Sequence, residues 1–203
     1  MNPNTFSYKT INQKSNAEFS DRGSKFIAFV YPIQYVDEVK PIVKSLKEIH
    51  PKAVHFCYAY RIGFDNNLYR ANDDGEPSGS AGRPILGQID SAEITNVLIV
   101  VVRYFGGVLL GVPGLINAYK TVSLLGLNEN TIIEKNKLLY VKINFDYTIM
   151  NDVMRIIKQF NCEIVSQSML LFCEIDLGII LSEKDIVLQK LENLQGLELH
   201  IEN

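Results

Sequence analysis

Asp73-Asp74-Gly75-Glu76-Pro77-Ser78-Gly79-Ser80-Ala81-Gly82-Arg83-Pro84 carries three carboxylates, three glycines and two hydroxyls between stretches of apolar sequence. So polar a segment buries little apolar surface, and its glycines and prolines favour shaped turns over regular structure. It therefore reads as a structured surface loop, and it fixes where the elements on either side must end. Upstream, Val54 to Ile62 has a strand pattern in which Phe56, Tyr58 and Tyr60 alternate onto one face. Downstream, Ile85 onward reads as a short helix behind Pro84, a residue suited to the first helical position. Asn96 to Tyr104 follows as an apolar strand ending at Arg103, and Leu115, Ala118, Tyr119 and Val122 form a helical stripe.

The chain has 203 residues, 47% hydrophobic and 21% charged, enough for a sizeable core in one large or two small domains. A formal charge of −3 gives no global drive toward nucleic acid, so any such contact needs a local basic patch. The opening Met1-Asn2-Pro3-Asn4-Thr5 lacks the basic and apolar regions of a signal peptide. The longest aliphatic run, Val97 to Val102, is far too short to span a membrane. Cys57, Cys162 and Cys173 are scattered and odd in number, as expected of a reduced, cytoplasmic protein.

Further out, Thr5 to Ile11 and Lys25 to Tyr31 read as strands separated by the turn Asp21-Arg22-Gly23-Ser24. Val36, Val39, Ile42, Val43 and Leu46 recur at helical spacing, with Pro41 bending or starting that helix. Residues 1–125 hold 13 basic and 11 acidic residues, whereas 126–203 hold 7 and 12. The polar stretch Gly126-Leu127-Asn128-Glu129-Asn130 marks the expected boundary between a domain at 1–126 and one at 131–203. In the second part, Leu138 to Phe145 is a strand and Met150, Val153, Ile157 and Phe160 form a helix stripe. Cys162 to Met169 and Leu171 to Leu177 make a hairpin, and Ser182-Glu183-Lys184-Asp185 resembles a capping box before Val187, Leu191 and Leu194. Leu197 to Ile201 completes the order βαββαβ, the signature of a ferredoxin-like module.

Several specific chemistries fail on spacing. An EF-hand frame centred on Gly75 would put Arg70 and Ala81 where carboxylates are required. Magnesium held by Asp73, Asp74 or Glu76 stays open beside solvated or arginine-paired carboxylates. Gly106-Gly107-Val108-Leu109-Leu110-Gly111 lacks the lysine and hydroxyl of a Walker A loop. The same turn reads either as a weak anion site near Gly114 or as tight packing of strand on helix. Ser78-Gly79-Ser80-Ala81-Gly82 misses the first glycine of a nucleophile elbow, and His50, His55 and His200 show no HExxH spacing. His55, on the strand before the loop, is placed to approach it. Arg61, Arg83 and Arg103 lie at strand ends or glycine-rich turns. With Tyr58, Tyr60 and Tyr104 they either offer an RNA-binding surface or, by pairing with Asp73, Asp74 or Glu76, lock the loop.

The runs Val54 to Arg61, Asn72 to Leu86 and Val100 to Gly107 together resemble the IMPACT/YigZ family over about residues 17 to 125. The tail resembles the small C-terminal domain of its bacterial members. The resemblance implies an α+β protein whose N-terminal domain has a left-handed βαβ fold, like a ribosomal small-subunit protein and domain IV of elongation factor G. The ferredoxin-like C-terminal domain would look like domain V of that factor. Eukaryotic relatives regulate translation by restraining an amino-acid-starvation kinase through competition for its activator, and no enzymatic activity is established for the family. The family's usual Phe-Gly-Gly-Ile-Lys-Leu-Gly-Thr-Gly-Gly-Leu-Val-Arg-Ala-Tyr departs here: Leu109, Val112, Pro113 and Asn117 replace a lysine, a threonine, a glycine and an arginine. Two cations are thereby lost beside the candidate anion site.

The expected function is a non-enzymatic cytoplasmic protein, without cofactor or membrane contact, that binds RNA, the ribosome or a translation factor in translation regulation. Arg61, Arg83, Arg103, Tyr60, Ser78, Ser80, Gly106 and Gly107 are its candidate contacts. Asp73, Asp74, Gly75, Glu76, Pro77, Gly79 and Gly82 define the loop. The competing expectations are a magnesium-dependent enzyme on a phosphorylated or nucleotide substrate, and a module that binds proteins alone. The sequence does not reveal the oligomeric state.

Overall fold

Strand and helix periodicities build the molecule that the computed structural model describes for residues 6–64, 68–169 and 172–201. Thr5 and Leu171, at the starts of two expected strands, lie outside the described residues. Backbone contacts divide the chain into Met1–Lys135 and Asn136–Asn203.

In the first unit, β1 (Ser7–Ile11), β2 (Ser15–Asp21) and β3 (Ser24–Pro32) precede α1 (Val39–Ile49). β4 (His55–Ile62) and β5 (Leu68–Asn72) follow, then α2 (Gly82–Ser91), β6 (Val97–Tyr104), α3 (Gly111–Asn128) and β7 (Ile132–Asn136). A five-stranded sheet runs β2-β3-β6-β4-β5, while β1 pairs with β7. β3 and β4 are each antiparallel to β6, so they run parallel, and α1 connects them as a βαβ unit. Central β6 is buried from Val97 to Arg103, which explains its unbroken apolar run. Its side chains alternate: Leu98, Val100 and Val102 pack with Val39 and Leu46 of α1, whereas Ile99 and Val101 pack with Ile85, Ile89, Leu115 and Tyr119 of α2 and α3.

In the second unit, β8 (Leu138–Phe145), α4 (Met150–Gln159), β9 (Glu163–Met169), β10 (Cys173–Ile180), α5 (Lys184–Glu192) and β11 (Leu197–Ile201) form the expected βαββαβ order. The sheet order β11-β8-β10-β9 places the first and third strands at its centre, as a ferredoxin-like fold requires. Val141, Ile143, Ile175 and Leu177 pack against Val153, Ile157, Val187 and Leu191.

Four local expectations change. The division falls at Lys135/Asn136, because α3 runs through Gly126 to Asn128 and β7 pairs back to β1. The supposed linker residues Gly126 and Leu127 are buried. β2, β5 and β7 are additional strands, each without a fully buried residue. α2 starts at Gly82, making Pro84 its third residue, still among positions whose N–H lacks an intrahelical partner. Ser182 forms no capping box: Leu181–Glu183 is a 3-10 turn, and α5 starts without a side-chain cap. Among the described residues, no helix is long and apolar enough to cross a membrane.

Candidate functional site

Residues 73–81 join β5 to α2, with Gly82, Arg83 and Pro84 forming the first turn of the helix, and the segment folds around its first carboxylate. Asp73 Oδ2 accepts the Gly79 N–H at 2.8 Å, while Oδ1 accepts from Ala81 at 3.0 Å and Gly82 at 2.8 Å. Asp73 therefore caps the start of α2, although it lies nine residues before Gly82 in sequence. Burial raises its pKa, but those three N–H groups and the charge of Arg83 outweigh burial and hold it below the ordinary carboxylate value. Gly79 at φ +76° and Gly75 at φ +89° supply the left-handed turns that let the backbone close around it. Gly82 packs so tightly that an added Cβ would lie 2.5 Å from the Asn72 nitrogen.

The next two carboxylates point elsewhere. Asp74, itself at φ +40°, accepts the Phe56 N–H through Oδ2 at 2.7 Å, binding the loop to β4. Its carbonyl lies 2.8 Å from His55 Nδ1, and since a carbonyl only accepts, Nδ1 carries the proton. Glu76 is buried, with Oε1 accepting from Arg103 Nη1 at 2.5 Å and from the Tyr119 hydroxyl at 2.8 Å. Oε2 lies 4.0 Å from His55 Nε2. The Cys57 sulfur lies 3.0 Å from the Asp73 carbonyl and 3.2 Å from the Tyr119 hydroxyl, both within reach of its single thiol proton. Burial pushes the pKa of both Cys57 and Tyr119 up, so each stays a protonated donor. The guanidinium of Arg103 also lies against the rings of Phe26 and Phe105, 5.4 and 5.6 Å from their centroids.

Arg103 thus forms the internal lock, while the surface expected from three converging arginines does not assemble. Arg61 lies six residues beyond His55 on β4, roughly 20 Å away at about 3.3 Å per residue. It bonds Asp90 through Nε at 2.9 Å and Nη2 at 2.6 Å, against the Tyr69 ring. Tyr60 is only 5% exposed because alternation turns it toward α1, so it offers no stacking surface. Ser80 is buried and donates its hydroxyl to the Pro77 carbonyl at 2.6 Å. Pro77, Ser78 and Arg83 remain exposed.

At the glycine-rich turn, tight packing decides Gly106. An added Cβ would stand 1.9 Å from the Gly23 carbonyl carbon, and the Gly106 N–H already donates to Ser24 Oγ at 3.2 Å. Gly107 is exposed at φ +84°. The turn before α3 presents Val108 and Leu109, and the start of the helix Val112 and Ile116, with Leu109 82% exposed. Among the described residues, no three His, Cys, Asp or Glu side chains are grouped to hold a metal ion. Sequence reasoning missed Tyr119 as a partner of Glu76, since its place in an apolar stripe says nothing of where its hydroxyl ends.

A family model described as "Impact N-terminal domain" matches residues 22–126. The Bacillus subtilis protein named IMPACT family member YvyE is 36% identical over 70% of this chain. The chain covers 65% of that relative, just under two thirds of its length. IMPACT family member YigZ of Escherichia coli is 32% identical over 70% of this chain and 71% of its own. A crystal structure described as a hypothetical protein superimposes with a TM-score of 0.76, at 26% identity, over 98% of both chains.

Proposed function

Because the chain belongs to the family defined by the Impact N-terminal domain, we propose that it acts in the cytoplasm by binding, without catalysing a reaction, and that it recognises a protein of the translation machinery. The observation that carries this reading is the internal use of the loop's carboxylates: Asp73 by backbone N–H groups, Asp74 by Phe56, and Glu76 by Arg103 and Tyr119. Such bonding favours a preorganised display surface, which lowers the entropy lost on association. Beside it, Phe105 packs on Arg103 and leads into exposed Val108, Leu109 and Val112. An apolar patch beside a fixed polar loop suits a protein surface. RNA recognition is less well supported here, because Arg61 and Arg103 are paired internally and Leu109 and Asn117 stand where the family pattern has cations. The translational setting rests on what the family resemblance implies.

The test is sedimentation of the purified chain with ribosomes and their salt-washed factors at low salt, with and without nuclease. Retention is expected to survive digestion and to weaken about tenfold, ~1.4 kcal/mol, in Leu109→Asp. Retention lost on digestion would reassign the surface to RNA. No retention at low salt would remove the translational reading.

A further inference from the structure

In the second unit, α4 and α5 cover one face of the sheet through Val141, Ile143, Ile175 and Leu177, and alternation turns the residues between these to the open face. Strand register lines up Glu198, Asn144, Glu174 and Ser168 as one row across β11, β8, β10 and β9. Beyond that row stand Asp146, just after β8, and Phe172, just before β10. All six line a depression of about 800 Å³, and among the described residues no lysine or arginine lines it. Asp146 Oδ1 accepts the Thr148 N–H at 2.9 Å, which fixes that carboxylate at the rim. Lys142 lies in the next row, between His200 and Asp176, and is held 3.4 Å from Glu174 Oε1 and 3.6 Å from Asp176 Oδ1. Asp146, Glu174, Asp176 and Glu198 outweigh that single ammonium, and Glu198 is exposed with no ion pair among the described residues. Phe172 is 69% exposed, and its ring makes no ring or cation contact among the described residues.

We propose that this end of the open sheet face docks a basic segment of a partner protein, with an arginine guanidinium set over Asn144 between Glu174 and Glu198. The two glutamates stand on strands separated by β8, so at about 4.8 Å per strand they straddle a gap of roughly 10 Å. A guanidinium is planar and donates from several edges at once, so it bridges two carboxylates and still reaches the Asn144 side-chain oxygen. An ammonium, a compact point charge, matches such a gap less well. The uncovered Phe172 ring adds a face on which an arginine packs. An exposed aromatic on an open sheet also suits a nucleic-acid base, but the carboxylates around it repel the phosphates that would accompany one. The surface belongs wholly to the second unit and does not rest on the function proposed above.

The experiment is a heteronuclear NMR titration of the full chain at low salt with the synthetic peptide Ala-Arg-Ala-Arg-Ala, blocked at both ends. Saturable shifts are expected at Asn144, Phe172, Glu174 and Glu198, weakening as salt is raised. The peptide with citrulline, a neutral isostere, in place of arginine should give none, and the lysine peptide should bind about threefold more weakly. Glu198→Gln and Phe172→Ala should each weaken the arginine peptide about threefold. Glu183→Gln, at the far end of β10, removes the same charge and should leave binding unchanged. Absence of saturable shifts at millimolar peptide, equal binding of the lysine or citrulline peptide, or an equal loss in Glu183→Gln would overturn the proposal. Tighter binding of spermidine at these residues would overturn it in favour of a free polyamine, and binding of oligouridine there in favour of nucleic acid.

Discussion

Asp73 binds three backbone N–H groups, so its negative charge belongs to the folded loop. Since its folded pKa lies below the ordinary value, its contribution is fully present above the unfolded pKa and is lost as pH falls through the folded one. Asp73→Asn is expected to lower stability by about 1.5–3 kcal/mol at neutral pH, the range for hydrogen bonds to charged groups. Chemical denaturation of both proteins from pH 7 down to the lowest pH at which they fold checks this. The gap should close below the usual aspartate range near about 3.9; a gap independent of pH would contradict it. The loop's importance was legible in its composition, and the pairing of an arginine with a carboxylate was one of two open readings. That Glu76 pairs with Arg103, 27 residues away, was not legible, because partner choice depends on which strand end meets the loop.

At the scale of elements, α3 is where local pattern and packing diverge. Gly126 looks like a linker residue in sequence, yet it sits inside the helix, where an added Cβ would lie 2.9 Å from Val30 Cγ2 and 3.2 Å from Ala28 Cβ. The glycine lets α3 pack closely on β3. Gly126→Val is therefore expected to destabilise by about 1–3 kcal/mol through overpacking, although valine is the better helix former. Urea denaturation measures it, and a neutral or stabilising outcome would show that the helix shifts freely. The apolar β6 and the one-sided β8 and α4 were legible because burial leaves an unbroken run in the first and a regular stripe in the other two. β2 and β5 were not: β2 has alternating partly buried and exposed residues, and β5 is largely exposed. Each lies at a sheet edge, where backbone pairing supplies more of the definition than side-chain burial.

At the scale of the molecule, each unit has its own buried cluster, and the second needs nothing from the first to complete its sheet. Residues Asn136–Asn203 expressed alone are expected to unfold in one cooperative transition, with stability of about 3–10 kcal/mol from the per-residue norm. A thermal melt followed by circular dichroism decides it, and a broad, non-cooperative loss of signal would show dependence on the first unit. The sequence by itself determined the mixed strand and helix pattern of the first unit, the βαββαβ order of the second, the apolar strand ending at Arg103 and the special character of residues 73–84. These follow from periodicity and backbone preference, which act between near neighbours in the chain. Only the tertiary structure decided that Asp73 caps α2, that Glu76 meets Arg103 and Tyr119, that Tyr60 faces the core and that Arg61 serves Asp90 instead of the loop. Those outcomes depend on strand register and on which groups burial brings together, and neither can be read from local sequence.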